Sequence, residues 1–371
     1  MSDSNTLSPL ERLSALGQSV WIDYLSRESI RGGHLRELID MSAVVGATSN
    51  PTIFEKAMAS GTAYEEQLQE LDPKLEVREV FWALAQRDIR EACDVFADVF
   101  ERTAHGDGYV SLEVEAGLAY DTLATFEQAM RLHEEVDRPN LLVKIPATKP
   151  GLAAIEDVIA AGRSINITLI FSLRRYEEVA ESYLRGLERL IAAGGDPRKV
   201  ASVASFFVSR IDTEADRRLD EIGGHEHLKG KLAIANARRA YARYREIFAG
   251  PRWDFLLSKG ATPQRVLWAS TSTKNPAYPD VMYVEELAGA ETVDTMPEET
   301  IVAYQDHGEP QARLEQGLAE AARVFEELAE AGVDYDDVTR TLEREGVEKF
   351  GASFDQLLQS LEQKRRAPAP A

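Results

Sequence analysis

Asn140-Leu141-Leu142-Val143-Lys144-Ile145-Pro146-Ala147-Thr148 is an apolar run closed by Pro139 in front and Pro150 behind, with one lysine at its centre. Short apolar, β-branched runs between breakers read as strands buried on both faces, as in a parallel sheet. A lysine in such a strand must snorkel, pair with a carboxylate or stay neutral. Burial lowers the pKa of an ammonium group, and a neutral ε-amine attacks ketones to form a Schiff base. A strand-end lysine can equally reach water along its own stem. The choice between these readings depends on what the rest of the chain places around Lys144.

Seven further runs have the same character: Val20 to Leu25, Ala43 to Thr48, Tyr109 to Val114, Ile165 to Phe171, Ala201 to Val208, Val266 to Ser270 and Glu291 to Thr295. Each is followed by a helical pattern or a capping signal, and repeated strand-helix alternation argues for parallel strands with helical crossovers. Eight such units predict an α/β fold, a single (β/α)8 TIM barrel with additional helices, over residues 1–366. Helical spacing is clearest over Leu75 to Ala104, Leu173 to Ala193 and Gln311 to Ala331. The charged stretch from Arg210 to Phe248, broken at Gly223-Gly224, is longer than a crossover needs and reads as an excursion after the sixth strand. No low-complexity linker or internal repeat divides the chain.

Residues two apart in a strand share a face, and the inward faces of a barrel converge on one axis. In the third run Val110, Leu112 and Val114 share one side, so Ser111, Glu113 and Glu115 share the other and Glu113 points inward. Gly46, Thr48 and Asn50 share parity in the second run, Asn166 and Thr168 in the fifth, and Asp23 falls within the first. Polar residues thus recur late in, or just after, several strands, where barrel enzymes place their chemistry. Glu113 and Asp23 are costly to bury without partners. They serve either as structural ion-pair members or as the acid and base that imine chemistry requires.

Several motifs carry two readings. Asn50-Pro51 fits an N-cap and N1 pair as well as a substrate ligand, and one strand-to-helix loop can meet both demands. Asn166-Ile167-Thr168 matches a glycosylation sequon in form, but its apolar surroundings favour an amide and a hydroxyl facing substrate or water. Ser205-Phe206-Phe207-Val208-Ser209-Arg210 and Ser270-Thr271-Ser272-Thr273-Lys274 each set a cation beside hydroxyls after a strand, as a phosphate site would; Arg210 equally suits the start of a solvated helical face. His225-Glu226-His227 lacks the spacing of a helical zinc pair and reads as a turn, so no metal is expected. Neither a dinucleotide fingerprint nor a P-loop is present.

Composition narrows the class. A net charge of −21 over 371 residues repels polyanions, so nucleic acid is not an expected partner despite Lys364-Arg365-Arg366; small phosphorylated ligands remain compatible with a local basic pocket. With 44% hydrophobic and 28% charged residues and no uninterrupted apolar stretch of spanning length, no membrane association is expected. Cys93 is the only cysteine, which excludes an internal disulfide and a thiolate cluster. Met1 to Thr6 lacks the basic segment and apolar core of a secretory signal. Together these features point to the cytoplasm. The Ala367-Pro368-Ala369-Pro370-Ala371 tail (367–371) is expected to be disordered, and oligomeric state is left open between monomer and dimer.

Lys144 in Leu-Val-Lys-Ile-Pro-Ala-Thr, Glu113 in Ser-Leu-Glu-Val-Glu, and Ala47-Thr48-Ser49-Asn50-Pro51 occur in this order along the chain. In these motifs the sequence resembles the transaldolases of the class I aldolase group over nearly its whole length, and Trp21-Ile22-Asp23-Tyr24-Leu25-Ser26-Arg27 resembles the longer bacterial type. The resemblance implies a Schiff base on Lys144, with Asp23 accepting the C4 hydroxyl proton during retro-aldol cleavage. It implies that Glu113 and Thr168 hold a catalytic water, that Asn50, Asn166 and Ser205 hold the dihydroxyacetone moiety, that Phe207 excludes water, and that Arg210 binds phosphate.

The reaction so implied transfers dihydroxyacetone from sedoheptulose 7-phosphate to glyceraldehyde 3-phosphate, giving erythrose 4-phosphate and fructose 6-phosphate in the non-oxidative pentose phosphate pathway. It needs no cofactor, because the imine is the electron sink. One motif departs from the pattern: many transaldolases read Ala-Ser-Phe-Arg-Asn where this chain has Ala269-Ser270-Thr271-Ser272-Thr273-Lys274-Asn275. Lys274 would then grip phosphate as a point charge rather than a bidentate fork. The alternatives are a fructose-6-phosphate aldolase, a related and much shorter group that tends to carry Tyr where Glu113 stands, and a non-catalytic sugar-phosphate-binding barrel.

Overall fold

Eight short segments rich in β-branched and aliphatic residues form strands: β1 (Gln18–Ile22), β2 (Val44–Ala47), β3 (Val110–Glu113), β4 (Leu141–Pro146), β5 (Ile165–Ile170), β6 (Ser202–Phe207), β7 (Arg265–Ala269) and β8 (Thr292–Met296). In the computed structural model, which describes residues 7–59 and 62–366, all neighbours pair in parallel and β8 returns to β1, with Gln18 beside Thr292 and Trp21 beside Thr295. The closed sheet is the expected (β/α)8 TIM barrel with helices outside it. The tail at 367–371 lies outside the described residues.

Strand ends differ from expectation by up to three residues. β1 starts two residues early and stops at Ile22, so Asp23 stands just past the strand, its N–H still donating to Met296 O at 2.8 Å. β7 stops at Ala269, where Ser270 turns out of the strand with φ 58°. The strands are buried on nearly every residue, as double coverage by an axis and a helical ring demands.

The inward faces stack in layers. At the floor, Trp21 lies so close to β2 that a Cβ on Gly46 would meet its indole at 2.5 Å. The indole N–H donates to Asp107 Oδ1 (3.1 Å), which also pairs with Arg265 (2.9 Å), while Ser19 donates to Asp107 Oδ2 (2.7 Å). This polar plug closes the barrel opposite its working end. Above it, β5 carries an irregularity between Ile167 and Ile170, with Leu169 at φ 61°. A bulge of this kind re-aims side chains beside functional sites, and Thr168 is its neighbour.

The outer helices bury one face each. Leu173–Ala192 forms as its spacing predicts. The Leu75 to Ala104 segment divides into Val77–Val95 and Ala97–Arg102. The excursion after β6 is Ser209–Ile222 and Leu232–Ile247, separated at Gly223 and Gly224, both at positive φ. The helix expected from Gln311 begins only at Leu318, after Gly317 at φ 71°; upstream of it, Arg313 and Leu314 donate backbone hydrogen bonds to Ala288 O instead. The largest helix, Tyr335–Arg366, has no counterpart among the expected elements. It crosses the mouth of the barrel, held by a Ser353–Thr52 hydroxyl contact (2.9 Å), Phe354 edge-on to Phe81 (5.2 Å) and an Arg175–Glu343 ion pair (3.3 Å). No helix among the described residues is long and apolar enough to cross a membrane.

Candidate active site

A cavity of about 300 Å³ opens at the C-terminal ends of the strands. Lys144, late in β4, puts its amine at the base, where the residue is only 5% exposed. Its Nζ donates to Ser49 O at 3.3 Å and lies 3.2 Å from Glu113 Oε2. Register explains this meeting: Glu113 on β3 pairs with Lys144, which pairs in turn with Asn166 on β5. The Glu113 approach is an ion-pair contact without hydrogen-bond alignment, and both carboxylate oxygens and Thr168 Oγ1 lack a hydrogen-bond partner among the described residues. Burial raises the Glu113 pKa, with the Lys144 charge the main opposing influence.

Asp23 faces the same cavity and accepts from Thr48 Oγ1 at 2.7 Å; Thr48 also meets Thr295 Oγ1 at 2.8 Å. Although Asp23 opens onto the cavity, the barrel encloses it, and this desolvation raises its pKa against the pull of Lys144, the Thr48 hydrogen bond, Arg210 and Lys274. The site therefore holds two carboxyl groups whose protons are easily retained, around one amine.

The remaining expected residues divide by depth. Asn50, Thr48, Ser205, Phe207, Arg210, Ser270 and Lys274 line the cavity. Asn50 fulfils its capping reading, accepting from Ile53 N–H at 3.0 Å, while still lining the cavity. Asn166, expected to touch substrate, is instead fully buried behind the wall: its Nδ2 donates to Ser111 Oγ (3.0 Å) and its Oδ1 accepts from Ser205 Oγ (2.7 Å). Glu113 also stands behind the lining and reaches the cavity through Lys144. Arg210 begins the helix after β6, its guanidinium 5.2 Å from the Phe207 ring centroid. Lys274 donates to Ser272 Oγ at 2.7 Å.

His225 caps a short 3-10 turn, Glu226–Leu228, that contains His227, and no group of three or more His, Cys, Asp or Glu among the described residues is placed to hold a metal ion.

The sequence model of the transaldolase/fructose-6-phosphate aldolase family matches residues 20–361. The chain belongs to that family. It is 52% identical over 358 residues to a transaldolase of Saccharopolyspora erythraea, covering 96% of this chain and 97% of the relative. It is 52% identical over 365 residues to a transaldolase of Acidothermus cellulolyticus, covering 96% and 98%. A Mycobacterium tuberculosis transaldolase is 50% identical over 355 residues, covering 94% and 95%. Likeness of this extent makes the chain a transaldolase-type enzyme, a transferase in a Schiff-base family.

Against this family background, the cavity wall contains residues that the strand motifs did not bring forward. Thr295 comes from β8, while Lys349 and Phe350 come from the helix across the mouth; Ser272, a hydroxyl of the motif from Ser270 to Lys274, lines the wall as well. Phe350 sets its ring centroid 5.7 Å from Lys144 Nζ, so an apolar face roofs the amine. A helical signal for these two was available: Val338, Leu342, Val347, Phe350, Phe354, Leu357 and Leu361 are the buried stripe of that helix.

Proposed function

We propose that the chain moves a dihydroxyacetone unit from sedoheptulose 7-phosphate to glyceraldehyde 3-phosphate through a Schiff base on Lys144. The observation that carries this reading is the buried Lys144 amine at the base of the cavity, 3.2 Å from Glu113 and enclosed with Asp23, below a cationic rim. The amine adds to the C2 carbonyl of the ketose. Loss of water from the carbinolamine needs a proton delivered to its hydroxyl. Glu113 and Thr168 supply it through a water molecule, consistent with their three unpartnered buried oxygens.

Asp23 then takes the C4 hydroxyl proton as the C3–C4 bond breaks, and the electron pair flows into the imine to leave an enamine on Lys144. The aldose product leaves, the acceptor aldehyde is attacked by the enamine, and the same proton transfers run in reverse before water releases the new ketose. Thr48 orients Asp23, and Asn50 and Ser205 hold the three-carbon unit. Asn166 acts on Ser205 from behind. Phe207 and Phe350 keep bulk water from the enamine, which favours transfer over release of free dihydroxyacetone. Arg210 and Lys274 hold the phosphate. Sugar phosphates are the partners this requires, and the cytoplasm is the compartment that suits them.

Borohydride reduction in the presence of fructose 6-phosphate, followed by peptide mapping, tests the reading. A stable adduct on the peptide bearing Lys144 is expected. Trapping and turnover that survive in Lys144→Ala would sink it. Accumulation of free dihydroxyacetone as fast as transfer would instead mark an aldolase.

A further inference from the structure

Besides Lys144 at the base and Lys56 on the helix Pro51–Ala59, three cations from three separate parts of the fold line the cavity. Arg210 starts the helix after β6, Lys274 sits in the loop after β7, and Lys349 descends from the helix Tyr335–Arg366. The rim is not charge-balanced: Asp23 and Glu299 also line the cavity, but neither forms an ion pair with any of the three. Their proximity is felt most at Lys349, whose pKa is lowered first by Arg210, then by burial, then by Lys274. Holding like charges together costs free energy that a dianion at their focus would recover.

The lysine is also held in place rather than left to wander. One residue on, Phe350 lies over the Lys144 amine, and four residues on, Ser353 meets Thr52. One turn back, Gly346 packs so closely on Leu169 that a Cβ there would lie 3.0 Å from Leu169 Cδ2. That contact seats the helix on the bulge of β5 beside Thr168.

We propose that Lys349 is a specificity-determining residue, the third cation of the phosphate grip, supplied by the C-terminal helix rather than by the barrel. The identity of the phosphorylated ligand as a ketose rests on the reading given above; the anion site itself does not. Lys274 stands as a point charge after β7, and a second point charge from the opposite side of the mouth gives the phosphate the multidirectional contact that one ammonium cannot.

The test uses the full chain with Lys349→Gln and Lys349→Arg. Calorimetric titration with inorganic phosphate at low ionic strength reads the anion site directly. Kinetics with fructose 6-phosphate as donor, and borohydride trapping with phosphate-free dihydroxyacetone, read its use. In Lys349→Gln the phosphate Kd and the KM for fructose 6-phosphate should each rise about tenfold, the scale of one charge-assisted contact at a solvent-facing rim. The effect falls on KM and not kcat because Arg210 and Lys274 still orient the phosphate, trapping by dihydroxyacetone stays within about twofold of the wild type, and Lys349→Arg recovers most of the loss. Wild-type phosphate affinity in Lys349→Gln would overturn the proposal. So would a parallel fall in dihydroxyacetone trapping, which would mean that the substitution disturbs the helix. A chain that binds phosphate through Lys349 but transfers no ketose unit would uphold the anion grip and refute only the assigned reaction.

Discussion

Replacing Lys144 by Met removes one charge from a buried pair and leaves the other. Lys144 and Glu113 are 5% and 6% exposed, and breaking so enclosed a pair by deleting one partner costs about 3–5 kcal/mol because the survivor is buried uncompensated. Glu113 can escape that cost by binding a proton, so the penalty must depend on pH. In the intact protein burial already raises its pKa and Lys144 opposes the rise; without the amine the folded-state pKa moves further up. A carboxyl with a raised folded-state pKa is protonated in both states below the unfolded value of about 4.3, where it imposes no ionisation penalty. Above that value the unfolded chain ionises freely while the native state resists. Stability of Lys144→Met then falls as pH rises, by at most about 1.4 kcal/mol per pH unit, until Glu113 ionises in the native state as well. The comparison is with Lys144→Met/Glu113→Gln, which has no carboxyl there. Urea denaturation of both variants between about pH 5 and pH 8 should show a gap that widens with pH towards about 3 kcal/mol or more. Two curves that stay parallel across that range would refute the buried-pair account of the site, whatever the trapping experiments show.

Three further outcomes follow from the same geometry. Asp23→Asn should lower transfer by about two to four orders of magnitude yet still allow borohydride to trap the imine on Lys144; equal loss of trapping would remove Asp23 from the bond-breaking step. Because burial raises Asp23 and a proton acceptor works only when ionised, wild-type kcat/KM should fall on acidification at a pH above the ordinary aspartate value of about 3.9, and a limb at or below that value would contradict the assignment. Gly46→Ala drives a Cβ to 2.5 Å from the Trp21 indole, so chemical denaturation should show a loss of about 1–3 kcal/mol, whereas an unchanged midpoint would mean that the barrel floor is looser than its packing indicates.

Strand parity made most of the interior legible. Once Val110 and Leu112 are given to the helix side, Glu113 has to point at the axis, and the same count places Thr48, Asn166 and Thr168 inward. What parity cannot supply is depth along the axis. Asn166 and Thr168 share a face, yet a bulge at Leu169 follows them, and only Thr168 reaches the cavity while Asn166 is spent on Ser111 and Ser205. Boundaries slipped where polar residues begin a strand, as at Gln18-Ser19, whose Nε2 and hydroxyl donate to Thr292 on the neighbouring β8 and to Asp107, partners distant in sequence that no local pattern supplies. The helix over the mouth carried a readable apolar stripe, but where that stripe docks is fixed by Phe81, Leu169 and Thr52, residues more than 160 positions away. No local signal could assign Lys349 and Phe350 to the site.

On the proposed reading, the distribution of charge along the cavity lets one pocket both bind a dianion and run proton transfers. Were the cations mixed among the carboxyl groups, each acid would be tied up in an ion pair, as Asp88 is with Arg27 at 2.7 Å elsewhere in the fold. Instead Asp23 and Glu113 lie deep, with the Lys144 amine between them, and Arg210, Lys274 and Lys349 stay towards the mouth with the exposed Lys56 and Glu299. From there Arg210 and Lys274 bias Asp23 through space, without the contact that would tie it up. On the proposed reading, depth separates the two ends of a sugar phosphate: the phosphate would be satisfied at the rim, and its neutral carbonyl end would descend to Lys144. A ligand lacking phosphate has no such ordering, so it should react in a less uniform orientation and lose kcat as well as affinity. Fructose compared with fructose 6-phosphate as donor should therefore show both parameters falling, and a change confined to KM would mean that the rim binds substrate without orienting it.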